Sequence, residues 1–251
     1  MNHFDPPLGD MAQAGCASTP HSLRQRLLKR VQLSHAHESQ FHTVRGDAGS
    51  WQQAQAEVHA KALASTAIAR SALVDIAPGA SFEQPSDVTQ QEVVLLDGEL
   101  FVGTEALDVG DAVCAPNDAA HVLRAGAAGA RLYIRLSLPA QPIPPLRRFS
   151  TLIDDATWQD FCPGVRIKEL CGGGERRSVL VRMDCGARVS AHHHGLEEEC
   201  MMLDGEAFIG DTLLRSGEYQ LAPQGSRHGA VQTDVGALFY VHGSLDPAAY
   251  A

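Results

Sequence analysis

Apolar and polar residues alternate along much of the chain, in short stretches separated by glycine, proline and aspartate. Val74 and Ile76 alternate with Asp75, and Val181 alternates with Arg182 in a second stretch. Side chains two residues apart lie on the same face of a β-strand. A period of two with frequent turns therefore predicts an all-β fold, either a barrel or a sandwich.

One stretch, residues 20–31, instead has the helical period. Thr19 is a suitable N-cap, and Pro20 suits the first helical position. The apolar stripe of this predicted helix consists of Leu23, Leu27, Leu28 and Val31. We interpret residues 1–40 as an arm that packs either on the β-structure or, in a homodimer, on a second subunit. The alternative is a docking helix for an acidic partner, which its basic residues would favour: Arg24, Arg26, Lys29 and Arg30.

From Phe41 onward the sequence repeats itself at an offset of 107 residues. Leu96-Asp97-Gly98-Glu99 recurs as Leu203-Asp204-Gly205-Glu206, and His121 corresponds to His228. A common offset over separate motifs indicates two copies of one fold. A proline-rich linker joins them, from Leu138 to Pro145. The predicted domains are the arm at residues 1–40, a first barrel at 41–140 and a second barrel at 141–251.

Composition narrows the class of protein. With 44% hydrophobic residues, the chain can bury a core, and its formal net charge of -10 argues against nucleic-acid and anionic-membrane partners. No apolar run is long enough to span a bilayer, and we expect no signal peptide at the N-terminus. The six cysteines contain no C-x-x-C pair, which favours reduced, mostly buried thiols in a cytoplasmic protein.

The second copy contains the residues with the clearest chemistry. His192 and His194 share a face of a predicted strand, and the short spacer at residues 195–197 lets Glu198 return beside them. A later hairpin would bring His228 to the same place. Three imidazoles and one carboxylate would then form a single metal site. The alternative is a surface histidine cluster beside a solvated run of glutamates.

These positions resemble the two cupin motifs, G-x5-H-x-H-x3-E-x6-G and G-x5-P-x-G-x2-H-x3-N. The matching residues are Gly186, His192, His194, Glu198, Gly205, Gly217, Pro223, Gly225 and His228. Gln232 stands where the family often has asparagine. The resemblance covers roughly residues 41–245 and implies a double-stranded β-helix in each copy, in other words a bicupin with two tandem barrels. It also implies that the three histidines and Glu198 bind the metal.

The first copy lacks this ligand set. The offset places Pro85, Asp87, Gln91 and His121 at the equivalent positions. Proline offers no side-chain ligand, and glutamine is a weak neutral donor. We therefore expect a first barrel that keeps its shape without a metal, with a non-standard site that uses Glu92 as the alternative.

Parity along the strands predicts the lining of the metal pocket. Cys200 and Met202 share a face with Glu198, and Gln232 shares a face with His228. On the last strand Phe239 should point inward, because the first-copy set Arg131, Tyr133 and Arg135 on the other face should point outward. The predicted pocket is thus largely apolar, although ordinary core packing would explain Cys200, Met202 and Phe239 equally well.

The ligand set suits zinc or iron(II), and also nickel or manganese, so we expect one divalent transition metal. Four protein ligands would fill every coordination position of a tetrahedral ion. An octahedral ion would keep two adjacent positions open for a bidentate substrate, or for substrate and dioxygen.

A narrower resemblance concerns residues 163–170, 179–182 and 192–198, which are similar to the cupin part of ChrR-type anti-sigma factors. The resemblance implies a zinc-binding cupin that helps to sense singlet oxygen or related oxidants. In that family a separate N-terminal domain with C-x-x-C zinc ligands holds the sigma factor. This sequence has no C-x-x-C, and only about forty residues precede the first barrel, which argues against sigma-factor binding by that route.

Two classes of function follow. The first is a metal-binding module that responds to an oxidant or a small ligand. The second is a mononuclear non-haem metal dioxygenase that acts on a small molecule such as a diketone.

Overall fold

The computed structural model describes residues 23–118, 121–139, 147–149, 158–173 and 176–244. The chain divides into two compact units, residues 1–36 and 37–251. The described part of the first unit is helical and belongs to α1, which spans Leu23–Glu38. The predicted cap at Thr19 and Pro20 lies outside the described residues, and the helix continues beyond the predicted end at Val31. Its apolar stripe is exposed, with Leu23 at 64% and Val31 at 63% of their maximal accessibility. No helix among the described residues is long and apolar enough to cross a bilayer.

The second unit consists of β-strands, which confirms the all-β prediction. The strands before the linker and directly after it are β1 His42–Val44, β2 Gln52–Gln55, β3 Val58–Ser65, β4 Ala69–Ile76, β5 Ser81–Phe82, β6 Gln90–Val102, β7 Glu105–Leu107, β8 Ala112–Pro116, β9 Leu123–Ser137 and β10 Arg147–Phe149. Those of the second copy are β11 Gln159–Cys162, β12 Val165–Gly173, β13 Arg176–Met183, β14 Arg188–Val189, β15 His192–His193, β16 Glu198–Ile209, β17 Thr212–Arg215, β18 Tyr219–Ala222, β19 Arg227–His228, β20 Val231–Gln232 and β21 Ala237–Gly243.

The strands reproduce the sequence repeat. β2 and β11, β4 and β13, and β5 and β14 have equal lengths and begin 107 residues apart. Gly98 and Gly205, one pair of the repeat, both adopt a positive φ, of 86° and 73°. A Cβ would lie 2.2 Å from the carbonyl oxygen of Gly129 at the first position and of Gly236 at the second, so only glycine fits there.

Two antiparallel sheets contain most of these strands. The first sheet has the order β10-β8-β6-β9-β4-β3-β2, with β5 on β9 and β7 on β6. The second sheet has the order β1-β18-β16-β21-β13-β12-β11, with β17 on β16 and with β20 bridging β14 and β16. β15 and β19 form a separate two-stranded ladder.

The two copies exchange their edge strands. β1 precedes the first copy, yet it pairs with β18 of the second sheet, where Thr43 lies opposite Gln220. β10 follows the linker and pairs with β8 of the first sheet, where Arg148 lies opposite Val113. Each sheet is therefore completed by a strand that lies on the far side of the linker from its other strands.

Each sheet encloses its own apolar core, and a third apolar cluster draws side chains from both sheets. Alternation along the strands explains this arrangement: Val74 and Val181 belong to the separate cores, whereas Leu73 and Leu180 belong to the shared cluster. Both faces of these strands are therefore buried. Tyr133 and Tyr240 meet in the shared cluster with ring centroids 5.0 Å apart.

A charged network lies beside this shared cluster. The guanidinium of Arg135 donates from Nε to Glu199 at 2.9 Å and from Nη1 to Glu92 at 3.3 Å, and its side chain is only 1% exposed. Tyr219 donates to Glu199 at 2.9 Å, and Tyr240 donates to Glu92 at 2.8 Å. Arg135 does point away from the core of its own sheet, as expected, but the second sheet covers it.

Candidate metal centre

Short elements at one end of the second sheet position the candidate ligands. His192 on β15 lies directly opposite His228 on β19. His194 follows in the loop, where its backbone N–H donates to Ser226 at 3.0 Å and its carbonyl accepts from Gly225 at 2.8 Å. Glu198 is the first residue of β16. The loop between His194 and Glu198 is thus anchored at both ends.

The structure brings these four side chains together. One potential ligand atom from each of His192, His194, Glu198 and His228 lies within 4.8 Å of the others. The ring centroid of His228 is 4.3 Å from that of His192 and 4.6 Å from that of His194. His194 and His228 are buried, at 2% and 4% exposure.

Hydrogen bonds to the backbone fix the tautomer of two imidazoles. Nδ1 of His192 lies 3.0 Å from the carbonyl oxygen of Ser190, and Nδ1 of His228 lies 2.9 Å from that of Gly229. A carbonyl oxygen only accepts, so each Nδ1 carries the hydrogen. The lone pair of each Nε2 is then free for a metal, which is how ligating histidines are usually oriented.

His194 gives the most direct test of whether a metal fits. Both of its ring nitrogens are buried, and neither has a hydrogen-bond partner among the residues that the structure describes. The nearest charged group to Nδ1 is Oε2 of Glu198 at 3.6 Å, which is an ionic contact beyond hydrogen-bond distance. Burying a polar group without a partner costs free energy. A metal ion on the ring would supply the missing interaction, so the residues present fit a bound metal.

The electrostatics of the site keep His228 and Glu198 in the protonation states that bind a metal. Burial, together with the neighbouring His192 and His194, lowers the pKa of His228 to about 4. For Glu198, burial raises the pKa, but the nearby imidazoles, chiefly that of His194, outweigh this effect and lower it overall. Imidazole binds metal only when neutral, and the carboxylate binds when ionised.

A glycine on the neighbouring strand, Gly243 of β21, leaves room for the side chain of Glu198. A Cβ added to Gly243 would lie 3.0 Å from Cγ and 3.1 Å from Cβ of Glu198. The absence of a side chain at the end of β21 therefore leaves the space that the Glu198 side chain occupies.

A cavity of about 70 Å³ opens beside the cluster, several times the roughly 10–15 Å³ that one water needs. Cys200 and Phe239 line it, together with His192, Glu198 and His228. Burial, with a further contribution from Glu198, raises the pKa of the Cys200 thiol, so that group is a poor nucleophile.

Two predicted pocket residues lie elsewhere. Met202 is fully buried in the core of the second sheet and is not among the lining residues. Gln232 is exposed on β20, opposite Arg188. The prediction for Gln232 was wrong because the chain leaves the strand conformation at residues 229–230, between β19 and β20, and the parity that was carried over from His228 ends there.

Reasoning from the sequence also missed residues that line the cavity, notably Gln220, Phe161 and Ile209. Gln220 lies directly opposite Cys200 in the ladder between β16 and β18. Residues opposite each other on paired strands share a face, so the position of Gln220 follows from that of Cys200. This inference requires the register of the two strands, which the sequence does not show.

In the first repeat, the equivalent residues are engaged with the protein itself. Asp87 accepts from Arg70 at 2.6 Å, and Gln91 donates to the carbonyl of His121 at 2.8 Å. Nδ1 of His121 lies 2.7 Å from a carboxylate oxygen of Asp118. The carbonyl of Pro85 accepts from Asn117 at 3.1 Å. Glu92, the alternative ligand, belongs to the network between the sheets, away from these groups.

Part of the chain matches a known protein family. A family model described as the ChrR cupin-like domain matches residues 147–246. No curated protein matches the sequence significantly.

Several solved structures are similar in fold. A candidate glyoxylate-induced protein from Pseudomonas aeruginosa is 11% identical with a TM-score of 0.63, over 82% of this chain and 89% of that chain. A candidate dioxygenase from Nostoc punctiforme is 15% identical with a TM-score of 0.59, over 82% and 87%. A variant of oxalate decarboxylase from Bacillus subtilis is 12% identical with a TM-score of 0.58, over 82% and 77%.

These likenesses confirm the predicted double-stranded β-helix fold. The chain therefore has an all-β cupin fold with two repeats, and residues 147–246 match the model of the ChrR cupin-like domain.

Proposed function

We propose that the second repeat binds one divalent transition metal through His192, His194, Glu198 and His228, and that the protein is a module that responds to an oxidant or a small ligand. The observation that carries the proposal is the buried imidazole of His194, which lies within the cluster and has no hydrogen-bond partner in the described part of the chain. Zinc and iron(II) both suit this donor set. When bound, such a metal would act as a Lewis acid toward a ligand in the adjoining cavity.

The protein's own residues explain how a ligand would be accommodated. His192, Glu198 and His228 reach the cavity from one side, while its other walls are mainly apolar, with Val181, Phe239 and others. An apolar wall excludes water and favours the apolar part of a small molecule. The poorly nucleophilic Cys200 thiol should take no part in rapid chemistry there.

The first test is metal analysis of protein purified without added metal, in the wild type and in His194→Ala. We expect about one equivalent per chain in the wild type and loss of stoichiometric binding in the variant, because the variant removes one of the four ligands. The matched control is His193→Ala, since His193 is the adjacent histidine and its side chain is exposed. A full metal equivalent in His194→Ala would contradict the assignment.

The alternative function is a metal-dependent dioxygenase for a small substrate such as a diketone. The feature in its favour is the cavity that directly adjoins the candidate ligands. The experiment is to load the protein with iron(II) and to follow oxygen consumption with small diketones, thiols and hydroxy acids. Sustained turnover that disappears in His194→Ala would establish the enzyme. Zinc as the native metal, with no turnover on either metal, would leave the responsive module as the function.

A further inference from the structure

Gln220 is a buried amide in the wall of the cavity beside the metal cluster. Its side chain is 3% exposed, and it lies among apolar lining residues such as Val241 and Ala222. A glutamine side chain has two N–H donors and a carbonyl acceptor. Placing these groups in an apolar wall costs free energy unless they find partners.

Within the described ranges, the Gln220 side chain makes one hydrogen bond. Its Nε2 donates to Oγ1 of Thr43 at 3.1 Å. Thr43 lies on the exchanged strand β1, directly opposite Gln220 in the ladder with β18. The contact engages the amide nitrogen, and Gln220 itself lines the cavity, so we infer that its Oε1 serves as the acceptor for a ligand there.

The ladder also fixes how far Gln220 lies from the metal cluster. Ala222 is opposite Glu198, and Gln220 is opposite Cys200. Two residues along a strand correspond to about 7 Å. A ligand that contacts both places therefore needs one end for the metal and a second polar group a few atoms away.

We propose that Gln220 is a specificity-determining residue that accepts a hydrogen bond from the distal hydroxyl of a short ligand whose carboxylate lies at the metal cluster. The proposal rests on the proposed metal site and goes beyond it, because it names the class of ligand: a hydroxy acid with its two polar ends separated by a short apolar chain. Thr43 acts through Gln220 as a positioning residue.

The test compares two probes with the same number of non-hydrogen atoms, 4-hydroxybutyrate and pentanoate. The full-length protein is loaded with cobalt(II), its metal content is measured, and binding of each probe is followed by the visible absorption of the cobalt. We expect the wild type to prefer 4-hydroxybutyrate by about threefold to tenfold, the usual net effect of one hydrogen bond. Gln220→Leu should lose this preference while it keeps one equivalent of cobalt.

Two further variants keep the test decisive. Gln53→Leu makes the same change at an exposed position of β2 and should leave the preference intact. Thr43→Val leaves Gln220 in place without its hydrogen bond, so the preference should fall, and this variant also decides the case if Gln220→Leu does not fold. Equal affinities in the wild type, failure of both probes to bind, or an unchanged preference in Gln220→Leu or in Thr43→Val would overturn the proposal. A wild-type protein that binds no cobalt would instead refute the metal site, and this proposal with it.

Discussion

His228 is prepared for metal binding before any metal arrives. Its low pKa, which results mainly from burial, keeps the imidazole neutral far below the ordinary histidine range, and its Nδ1–H bond to Gly229 directs Nε2 toward the cluster. A preorganised side chain binds a metal at a smaller free-energy cost, because neither its protonation state nor its rotamer has to change. The free-energy cost of keeping His228 neutral and in this orientation is already present in the metal-free protein.

That cost predicts a pH dependence. Between the ordinary pKa of about 6.5 and the folded value of about 4, the unfolded chain holds a proton on His228 that the folded protein does not. The free energy of unfolding is therefore unaffected by this residue above pH 6.5, and it decreases by about 3 kcal/mol as the pH falls toward 4. The lowered pKa of Glu198 acts in the same direction. Urea unfolding of the metal-free wild type and of His228→Gln at pH 7 and pH 4.5 would measure it. An equal loss in both proteins would show that His228 is not the source.

Gly243 leads to a second prediction at this scale. Gly243→Ala should weaken metal binding, because the new methyl group would push Glu198 from its place, and overpacking of this kind costs about 1–3 kcal/mol. Gly195→Ala is the matched control, since a Cβ there meets nothing within 4 Å. Metal titration of the two variants is the measurement, and equal affinities would contradict the proposed support of Glu198.

At the scale of elements, β16 connects the candidate site to the first sheet. Glu198 points toward the metal cluster, and the next residue, Glu199, points the other way and accepts from Arg135 and Tyr219. Burial alone would lower the pKa of Arg135, but the carboxylates of Glu199 and Glu92 raise it, so the guanidinium stays charged. Arg135 of the first repeat therefore contacts β16, the strand whose first residue is the candidate ligand Glu198.

Arg135→Met should destabilise the protein by about 3–5 kcal/mol, because it leaves two carboxylates buried without their counter-ion. Arg131→Met, on the same strand, removes an exposed pair with Asp75 and should cost about 0–1 kcal/mol. Chemical denaturation of the two variants measures the difference. A small effect in both would indicate that the buried network contributes little to the packing of the sheets.

The same elements show what can be predicted from the sequence. The strand positions and the repeat follow from local alternation and from a constant offset, and four residues with cupin spacing meet in one cluster. The burial of Arg135 and the lining role of Gln220 depend on which sheet faces which, and on register across the exchanged strand. Neither is encoded in a local pattern, because an outward-facing residue looks the same whether water or a second sheet covers it.

At the scale of the whole molecule, the exchange of β1 and β10 makes the sheet of each repeat depend on a strand from the other side of the linker. A fragment of residues 1–140 would contain β1 without its partner β18, and a fragment of residues 141–251 would contain β10 without its partner β8. Each fragment would also expose the shared apolar cluster.

We therefore expect neither fragment to fold alone, and we expect the two to form a 1:1 complex when they are produced together. Circular dichroism of the separate fragments and size-exclusion chromatography of the mixture would test this. Two stable, monomeric fragments would contradict the expectation.

The exchanged strand also affects how the chain is made. β1 leaves the ribosome before the other strands of both repeats, and its partner β18 follows about 175 residues later. At the usual rate of synthesis, about 5–20 residues per second, the ladder between β1 and β18 can form only after roughly 9–35 seconds. Until β10 has also emerged, the nascent first repeat can form most of its own sheet but cannot complete it. The first sheet can close once β10 is present, about 70 residues before β18 appears, so the second sheet and the cavity beside the metal cluster take their final form last.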